Sequence, residues 1–466
     1  MIFSGKEIAV FGMQRSGVAA AKLLDDLGAK VRVTDRKTEQ ELQSSLEALK
    51  DRSIEFILGR HDMRSIEQVD MVVVSPGVPL DIPILKEARS NGIPIVGELE
   101  VAASVCPAPI VAVTGTKGKT TTTVLSASIL KDGHFRNVCV AGNIGIPLSS
   151  KVQNLTSEDL VVAETSSFQL ETTTTFRPMV SVILNLSRDH LDQHPSMEAY
   201  RNAKLMICAN QTSEDWIVLN AEDPAVAAFA SETQAKPVYF TTNSSPAGLG
   251  TFVRNGEVFA HWNGKSKRVL SKRDIPLAGK HNLRNVLAAV AVGKIVGISS
   301  NQIQSAVRQF SAAEYPVLEH AFEMVNTING VQFINDSKAT NVAAAAAALE
   351  SISKPILLIM GGYDKGNDYA TLIQPIQSKV KGLILLGSHT QIIRNAFSSQ
   401  VVMWNAATMD EAVKTAHSHA APGDVVLLSP ANASFDMYAD YKERGQAFRE
   451  AVIRLEKAFS KTPFKS

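Results

Sequence analysis

Residues 110–123 constrain the fold of this chain more than any other stretch, because they predict a loop that binds phosphate. The stretch begins with an apolar, β-branched run that predicts a buried strand, and it ends in a run of threonines that predicts the start of a helix. Between the two, Gly115 and Gly118 allow the backbone N–H groups of the turn to close around phosphate oxygens. A phosphorylated ligand is therefore expected.

Lys119 and Thr120 supply the side chains that such a loop needs. Lys119 adds a positive charge beside the phosphates, and Thr120 offers a hydroxyl group to Mg²⁺. The strict Walker pattern is not met, because its first glycine would fall on Val113, so the motif is a shortened variant, T-G-x-x-G-K-T. The alternative interpretation is an ordinary glycine- and threonine-rich turn between a strand and a helix.

The composition is that of an ordinary globular protein. Its 466 residues correspond to roughly three domains. A hydrophobic content of 45% with 20% charged residues allows several buried cores. Lysine and arginine total 47 against 46 aspartate and glutamate, so the charge balance does not indicate binding to nucleic acid.

The cysteines and the first residues predict a soluble, cytoplasmic protein. Cys106, Cys139 and Cys208 are odd in number and form no CxxC pair, which argues against a disulfide framework or a zinc site. The chain leads directly into a predicted strand, so we expect no signal peptide. No apolar run approaches the roughly 18 residues that a membrane span requires.

Residues 1–98 predict a doubly wound parallel sheet, because short apolar runs alternate with polar, helix-like stretches. We predict its strands at Glu7–Gly12, Lys30–Asp35, Ile54–Leu58, Met71–Ser75 and Ile93–Val96. The first turn has Gln14 where a dinucleotide-binding turn requires glycine, so a nicotinamide site is not expected. A nucleotide-diphosphate site remains open there and at the later turn Ser75–Val78, although both turns could merely connect elements.

Residues 99–312 and 313–466 form the second and third blocks. The second carries the phosphate loop, with further strands predicted at Val161–Ala163 and Val180–Leu186. The third predicts another Rossmann-like unit, in which the nearly pure alanine run Ala343–Leu349 is a helix packed closely on a sheet. We therefore predict an α/β protein of three domains: an N-terminal Rossmann-like sheet, a central P-loop sheet and a C-terminal Rossmann-like domain.

Polar side chains follow the predicted strands of the second block. Glu164 stands where a P-loop protein places the carboxylate that serves Mg²⁺, although it could instead be a helix cap. His190 could form a second metal cluster with Asp189 and Asp192, although a loop histidine is more often a surface residue. Lys204 lies on a predicted helix, where the plain interpretation is a solvated lysine.

The third block has three polar turns at strand ends: Asn335–Asn341, Gly361–Gly366 and Ser429–Asp436. One such turn means little. Several of them on a chain that also carries a phosphate loop indicate a composite site formed between domains.

These motifs together resemble those of the Mur ligases, the ATP-dependent amide ligases that build the peptide stem of peptidoglycan. The resemblance covers nearly the whole chain in the three-domain order of that family. Glu164–Glu171, Asn335–Asn341 and Leu428–Ser434 are similar to the members of the family that add D-glutamate. Ligases that act at other steps carry other sequences there, for instance Asp-Tyr-Ala-His in place of Asn335–Lys338.

The resemblance implies that ATP phosphorylates the L-alanyl carboxylate of UDP-N-acetylmuramoyl-L-alanine, and that the amine of D-glutamate then attacks the acyl phosphate. Lys119 and the loop amides would hold the β- and γ-phosphates. Thr120 and Glu164 would serve one Mg²⁺, and His190 with Lys204 a second. In the family this lysine is carbamylated, which converts a cation into a carboxylate-like ligand. The implied nucleotide-binding residues are Gly115, Thr116, Lys117, Gly118, Lys119, Thr120 and Thr121, with Asn282 at the adenine and Asp336 at the ribose.

The resemblance also implies where the two other substrates bind. Ser16, Asp35, Arg36, Ser75 and Gly77 match the uridine-diphosphate site, Asn143 and His190 match the muramoyl-alanine end, and Lys338, Thr340, Lys365, Ser434 and Phe435 match the D-glutamate pocket. Lysines and hydroxyls suit a dicarboxylate.

Two departures from the family pattern bear on the phosphate site. The family usually has His-Arg at the start of the third domain, where the arginine reaches the ATP phosphates, and this chain has His320-Ala321. One hypothesis is that Arg308 or Arg284 substitutes, in which case Ala321→Arg leaves turnover unchanged. Lys117, where asparagine is commoner, adds a cation that could compensate for Ala321.

Other interpretations remain. Another Mur-type ligase or a folate polyglutamate ligase is the nearest, although the folate enzyme lacks the UDP-binding domain indicated by Asp35 and Ser75–Gly77. A non-catalytic nucleotide-binding protein is supported only by Ala321. A monomer is the default expectation.

Overall fold

The computed structural model of the chain describes residues 1–187, 194–243, 245–246, 248–277, 279–311, 315, 318–364 and 366–460. The chain divides into two compact units, Met1–Leu277 with His281–Phe310, and Ala278–Lys280 with Ser311–Ser466. No helix in the described ranges is both long and apolar enough to cross a membrane.

The first sheet of the first unit has the order β3-β2-β1-β4-β5, and its strands are parallel. The strands are β1 Glu7–Phe11, β2 Lys30–Asp35, β3 Ile54–Leu58, β4 Met71–Val74 and β5 Ile95–Gly97, and the helices are α1 Arg15–Asp26, α2 Gln43–Glu47, α3 Pro83–Ser90 and α4 Glu98–Ser104. The strands predicted from the sequence are confirmed, with ends that differ by at most two residues. The strand order reverses between β1 and β4, and ligands of such sheets bind outside the carboxyl ends of the strands at this point.

The turn after β1 lies against the turn after β4 because position 17 is a glycine. A Cβ atom on Gly17 would lie 1.8 Å from the carbonyl oxygen of Gly12 and 2.8 Å from Ser75 Oγ. Ser75 Oγ donates a hydrogen bond to that same carbonyl at 3.1 Å. The start of α1 is therefore held at the carboxyl edge of the sheet.

The second sheet of the first unit has the order β14-β13-β12-β11-β10-β9-β6-β8-β7. Its strands are β6 Ile110–Thr114, β7 Val138–Gly142, β8 Leu160–Glu164, β9 Val180–Ile183, β10 Trp216–Asn220, β11 Lys236–Thr241, β12 Gly250–Arg254, β13 Glu257–Trp262 and β14 Lys265–Ser271. Its helices are α5 Lys119–Leu130, α6 Ser167–Leu170, α7 Met197–Leu205, α8 Pro224–Ala227, α9 Lys280–Ile295 and α10 Ser300–Gln309. The pairing is parallel from β7 to β12 and antiparallel between β12, β13 and β14.

The two sheets of the first unit share one apolar core, which includes side chains such as Val10 and Leu24 beside Ile110 and Leu148. Two buried carboxylates on α4, which follows the last strand of the first sheet, accept hydrogen bonds from segments that belong with the second sheet. Glu98 accepts hydrogen bonds from the backbone N–H and the hydroxyl of Ser149. Burial raises the pKa of Glu98, against the effect of those bonds. Glu100 accepts hydrogen bonds from residues 174–176.

The second unit holds the third sheet, with the order β15-β16-β20-β17-β18-β19. Its strands are β15 Glu323–Ile328, β16 Val331–Asn335, β17 Ile356–Gly361, β18 Val380–Leu386, β19 Val402–Ala406 and β20 Val425–Ala431. Its helices are α11 Val342–Ser351, α12 Ala370–Lys379, α13 Thr390–Phe397, α14 Met409–Ser418 and α15 Tyr441–Ser460. β15 is antiparallel to β16, the other pairs are parallel, and apolar clusters cover both faces.

The α/β class with three sheets is confirmed, and the predicted alanine helix is α11, which buries Ala345 and Ala348. The predicted strand Val180–Leu186 is too long, since β9 ends at Ile183. Beyond that point the backbone carbonyl of Asn185 bonds to the phosphate loop instead of continuing the strand. The boundaries predicted after residues 98 and 312 stay predictions.

Gly17→Ala is expected to destabilise the first unit, because its Cβ would overlap the carbonyl of Gly12. We expect a loss of about 3 kcal/mol in the free energy of unfolding, as for other overpacked sites. Gly77→Ala is the matched control, since a Cβ there would meet no atom within 4 Å. Denaturant unfolding of both variants measures the difference in their free energies of unfolding. Equal free energies for the two variants would contradict the packing described for α1.

Candidate functional site

The predicted phosphate loop connects β6 to α5, and two glycines determine its path. Gly118 is the residue before α5 and has a φ of 85°, in the left-handed region. A Cβ on Gly118 would lie 2.3 Å from Asn285 Oδ1, and one on Gly115 would lie 2.9 Å from Leu184 Cβ. Side chains are therefore excluded at both positions, and the N-terminus of α5 opens directly onto the loop.

Lys119 lies with its ammonium group over the loop. Its Nζ donates to the carbonyl oxygens of Gly115 at 2.8 Å and Thr116 at 3.1 Å. The positive charge is therefore held over the loop that leads into the N-terminus of α5, and a helix N-terminus is where an anion is favoured.

Glu164 connects the phosphate loop to the neighbouring strand. It is the last residue of β8, is 2% exposed, and accepts a hydrogen bond from Thr120 Oγ1 at 2.8 Å. Its second oxygen accepts from Asn143 Nδ2 at 2.7 Å. The structure thus brings together Thr120, Glu164 and Asn143, three candidates named from the sequence. Their oxygen atoms are of the kind that Mg²⁺ prefers.

Lys204 is buried beside the same loop, not solvated. It is 1% exposed, and its Nζ donates to Gly115 O at 3.1 Å and lies 3.4 Å from Thr114 Oγ1. The ammonium also lies 4.6 Å from the centre of the Tyr200 ring, a cation–π contact that offsets part of the cost of burial. The alternative interpretation of Lys204 as a solvated surface lysine is therefore wrong.

Tyr200 and His194 belong to this site, and sequence reasoning missed both. The Tyr200 hydroxyl lies 3.2 Å from Thr116 Oγ1. The centre of the His194 ring lies 5.3 Å from that of Tyr200. His194 Nε2 lies 2.9 Å from Ser167 Oγ, and its ring stacks on Phe168 at 5.1 Å. Only the spacing of Tyr200 one helical turn before Lys204 could have indicated a contact between them.

His190, together with Asp189 and Asp192, lies outside the described residues, so its assignment to a metal and to substrate stays a prediction. Among the residues that the structure does describe, no group of three or more His, Cys, Asp or Glu side chains could hold a metal ion. Thr120 and Glu164 fit a metal whose other ligands are phosphate oxygens and water, which is the usual way that proteins bind Mg²⁺ beside a nucleotide.

The residues predicted to bind the uridine diphosphate lie at the carboxyl edge of the first sheet. Asp35 Oδ2 accepts from the backbone N–H of Met13 at 2.7 Å, and its Oδ1 accepts from Lys37 N at 2.9 Å. Ser16 lies in the first turn of α1, and Ser75 Oγ donates to the carbonyl of Gly12 in the turn that precedes this helix. Arg36 and Gly77 are exposed at this edge.

His61 is a further residue of this edge that the sequence analysis missed. Its Nδ1 lies 2.9 Å from Thr34 Oγ1, and its ring lies 5.0 Å from that of Phe11. Burial lowers the pKa of His61, while the nearby Asp35 carboxylate acts in the opposite direction. A single histidine in a loop carries no signal that could have identified it.

The two residues predicted to meet the adenosine belong to different compact units. Asn282 is 7% exposed in the first unit, where its Oδ1 accepts from Asn285 Nδ2 at 3.2 Å. Asp336 follows β16 in the second unit and accepts from Ser429 Oγ at 2.9 Å and from the backbone N–H of Phe322 at 3.0 Å. Their joint role stays a prediction.

The residues predicted for D-glutamate follow two strands of the third sheet. Lys338 and the exposed Thr340 come after β16, whereas the buried Ser434 and the exposed Phe435 come after β20. Lys365 lies outside the described residues.

Arg444, on α15, joins the two turns that follow β16 and β20, and sequence reasoning missed it. Its Nε and Nη2 donate to the hydroxyl and the carbonyl of Ser337, and its Nη1 donates to Asn432 O at 3.1 Å. Burial lowers the pKa of Arg444 to about 10. An arginine in an amphipathic helix gives no sequence signal for such a role.

The position of the missing family arginine is Ala321, between two residues with left-handed backbone, His320 and Phe322. Both arginines proposed as substitutes are already paired within the first unit. Arg284 Nη2 lies 2.6 Å from Glu222 Oε2, and Arg308 Nη2 lies 2.9 Å from Asp274 Oδ1. Their substitution for the family arginine stays a hypothesis, as does compensation by Lys117.

Family models match most of the chain. The Mur ligase MurD-like N-terminal domain matches residues 6–97, the Mur ligase middle domain matches 113–293, and the Mur ligase glutamate ligase domain matches 322–432. A UDP-N-acetylmuramoylalanine–D-glutamate ligase of Alkaliphilus oremlandii is 42% identical over 97% of this chain and 99% of its own length. The chain belongs to the Mur ligase family.

Other Mur ligases are similar over the same length. The ligase of the same name from Thermoanaerobacter sp. is 40% identical over 98% of this chain and all of its own length. Among solved structures, the MurF ligase of Thermotoga maritima in complex with ADP has a TM-score of 0.62 at 15% identity, covering 98% of this chain and 99% of that one. A pseudomurein peptide ligase of Methanothermus fervidus has a TM-score of 0.57 at 20% identity, covering 97% of this chain and all of the other. These structures share the Mur ligase fold.

Glu222→Gln tests the ion pair that holds Arg284. Burial raises the pKa of Glu222, but hydrogen bonds from Thr242 and Arg284 outweigh it and bring the pKa to about 2. Because the folded pKa lies below the unfolded one, the carboxylate stabilises the protein above about pH 4.3 and loses this effect as the pH falls toward the folded value. We expect the variant to lose about 1–3 kcal/mol of unfolding free energy at pH 7, and less at pH 3.

Urea unfolding at pH 7, 5 and 3 measures this difference. Glu214→Gln is the control, since Glu214 is 88% exposed and lies 3.8 Å from its partner Arg177. A difference between the Glu222 variant and the parent chain that stays the same at pH 3 would contradict the assigned pair.

Proposed function

We propose that this Mur ligase joins D-glutamate to UDP-N-acetylmuramoyl-L-alanine and converts ATP to ADP and phosphate in the process, a step of peptidoglycan precursor synthesis. The choice of D-glutamate is supported by the names of relatives that are 40–42% identical over nearly the whole chain. The use of ATP is supported by one observation above all, the hydrogen bond between Thr120 on the phosphate loop and Glu164.

The chemistry follows from the weakness of a carboxylate as an electrophile. The L-alanyl carboxylate oxygen attacks the γ-phosphorus of ATP, the bond between that phosphorus and the β,γ-bridging oxygen breaks, and ADP leaves. The amine of D-glutamate then attacks the carbonyl carbon of the acyl phosphate, and inorganic phosphate leaves with the former carboxylate oxygen. The protein mainly has to position the reactants and balance the charge that moves between them.

Lys119 is the residue proposed to hold the β- and γ-phosphates, because its ammonium lies 2.8 Å from Gly115 O on the same loop. Gly115, Thr116, Lys117 and Gly118 would form the loop around the phosphates, and the N–H groups at the start of α5, which include those of Thr120 and Thr121, would complete the phosphate site. Thr120 and Glu164 would hold one Mg²⁺, which when bound neutralises phosphate charge.

Lys204 and His190 are proposed for a second Mg²⁺. An ammonium group cannot bind a cation, so Lys204 has to be carbamylated to act as a ligand. Its burial beside Thr114 and Gly115, next to the phosphate loop, supports this location for a metal ligand.

The substrate sites are proposed at the two Rossmann-like edges. Ser16, Asp35, Arg36, Ser75 and Gly77 would bind the uridine diphosphate, Asn143 and His190 the muramoyl-alanine end, and Lys338, Thr340, Lys365, Ser434 and Phe435 the D-glutamate, with Asn282 and Asp336 at the adenosine. Asn143 supports this arrangement, because it contacts the same Glu164 carboxylate as Thr120. We also propose a monomer that acts in the cytoplasm.

Magnesium-dependent release of phosphate from ATP tests the proposal. With UDP-N-acetylmuramoyl-L-alanine present, we expect release with D-glutamate and none with L-glutamate, L-lysine or meso-diaminopimelate. Lys119→Met is expected to lower kcat by about 100-fold or more, as for the loss of other preorganised charges. Lys131→Met, at the other end of α5, is the control and should leave kcat unchanged.

Release with a different amino acid would assign the chain to another step of the pathway. Binding of ATP without release for any amino acid would favour a non-catalytic protein, the alternative for which Ala321 is the supporting observation.

A further inference from the structure

We propose that Asn185 is a positioning residue for the nucleotide phosphates, since it holds the middle of the phosphate loop in place by both its side chain and its backbone. The proposal rests on the nucleotide part of the proposed function and is independent of which amino acid is added.

Asn185 forms three hydrogen bonds with two consecutive loop residues. Its Oδ1 accepts from the backbone N–H of Lys117 at 2.8 Å, and its Nδ2 donates to the carbonyl of Lys117 at 2.9 Å. Its own backbone carbonyl accepts from the N–H of Thr116 at 3.0 Å. The side-chain amide therefore pairs with Lys117 in both directions, as a neighbouring strand would.

This pairing continues the sheet beyond the end of its strands. β9 pairs with β6 up to Ile183 and Thr114, and the next N–H, that of Leu184, bonds to Thr114 O at 3.1 Å. The loop then passes so close that a Cβ on Gly115 would lie 3.4 Å from the backbone nitrogen of Asn185. Beyond this point the Asn185 side chain makes the hydrogen bonds to the backbone of Lys117 that a neighbouring strand would otherwise make.

The pairing also determines which loop N–H groups can bind phosphate. Those of Thr116 and Lys117 donate to Asn185. The first N–H that bonds within α5 is that of Thr122, which donates to Gly118 O at 3.0 Å. The four groups from Gly118 to Thr121 therefore precede the first helical hydrogen bond and would be the phosphate donors.

Asn185 also controls the position of Lys119. The Lys119 ammonium donates to the carbonyls of Gly115 and Thr116, next to the residue that the Asn185 side chain holds. A shift of the loop would therefore move both the phosphate-binding charge and the first turn of α5. A loss of affinity should appear for the nucleotide and not for the other two substrates.

Asn185→Ala and Asn185→Asp test this role, with Asn210→Ala as the matched control. Asn210 also makes two side-chain bonds to backbone in the same unit, to Thr174 O at 2.9 Å and Phe176 O at 3.1 Å, but these are not loop residues. Calorimetry measures the Kd for ADP, steady-state kinetics give KM for each of the three substrates, and thermal unfolding gives Tm.

We expect Asn185→Ala to weaken ADP binding about tenfold, as the loss of two backbone contacts allows, with KM for ATP rising in parallel. KM for D-glutamate and for the UDP-sugar should stay at the parent values. Asn185→Asp should bind ADP still more weakly, because its carboxylate faces the Lys117 carbonyl and repels phosphate, and added salt should reduce that extra loss. Asn210→Ala should lower Tm without changing the Kd for ADP.

Three outcomes would overturn the proposal: parent-like ADP affinity in folded Asn185→Ala, an equal loss in Asn210→Ala, or equal rises of all three KM values. If the alanine variant does not fold, the nearly isosteric Asn185→Asp replaces it in the test, and a Kd for ADP equal to that of the parent would overturn the proposal. A parent chain that binds ADP but releases no phosphate with D-glutamate contradicts the proposed reaction and leaves this comparison of ADP affinities intact.

Discussion

The close approach of the phosphate loop to its neighbours is the constraint on which the rest of the site depends. The loop turns between β6 and α5 with Asn285 against Gly118 and Leu184 against Gly115, at distances that leave no space for a Cβ atom. This sets the position of the first turn of α5, and with it Lys119 and Thr120. Glu164 then reaches Thr120 because β8 is the neighbour of β6 in a parallel sheet, so that both strands end at the same edge.

Two buried cations, Lys204 and Arg444, also hold parts of the site together, each within its own compact unit. Lys204 and Arg444 are 1% and 3% exposed, and both hold backbone carbonyls at the ends of strands. A buried cation is costly unless its donors are satisfied, and in both residues the donors bind the turns that carry candidate residues. The cost of burial is offset by hydrogen bonds, and for Lys204 also by the Tyr200 ring. These cations order the strand ends as well as contributing charge.

The strands, the phosphate loop and Glu164 could be predicted from the sequence because each depends on local pattern. Apolar runs predict parallel strands, and polar residues directly after them must lie at one edge. Asn185, Tyr200 and Arg444 could not be predicted, since their roles come from contacts with residues distant in the chain. The predicted end of β9 is wrong for the same reason: Leu184 and Leu186 continue the apolar pattern of the strand, but the Asn185 side chain bonds to Lys117 of the loop.

The central claim is that this site transfers phosphate to a carboxylate, and an isotope measurement tests it most directly. The L-alanyl carboxylate of UDP-N-acetylmuramoyl-L-alanine is labelled with ¹⁸O, the reaction is run with ATP, Mg²⁺ and D-glutamate, and the released phosphate is analysed by mass spectrometry. If the acyl phosphate forms, one labelled oxygen leaves with each phosphate. Phosphate that carries only unlabelled oxygen would show that water attacks ATP directly, and would contradict phosphoryl transfer to the carboxylate.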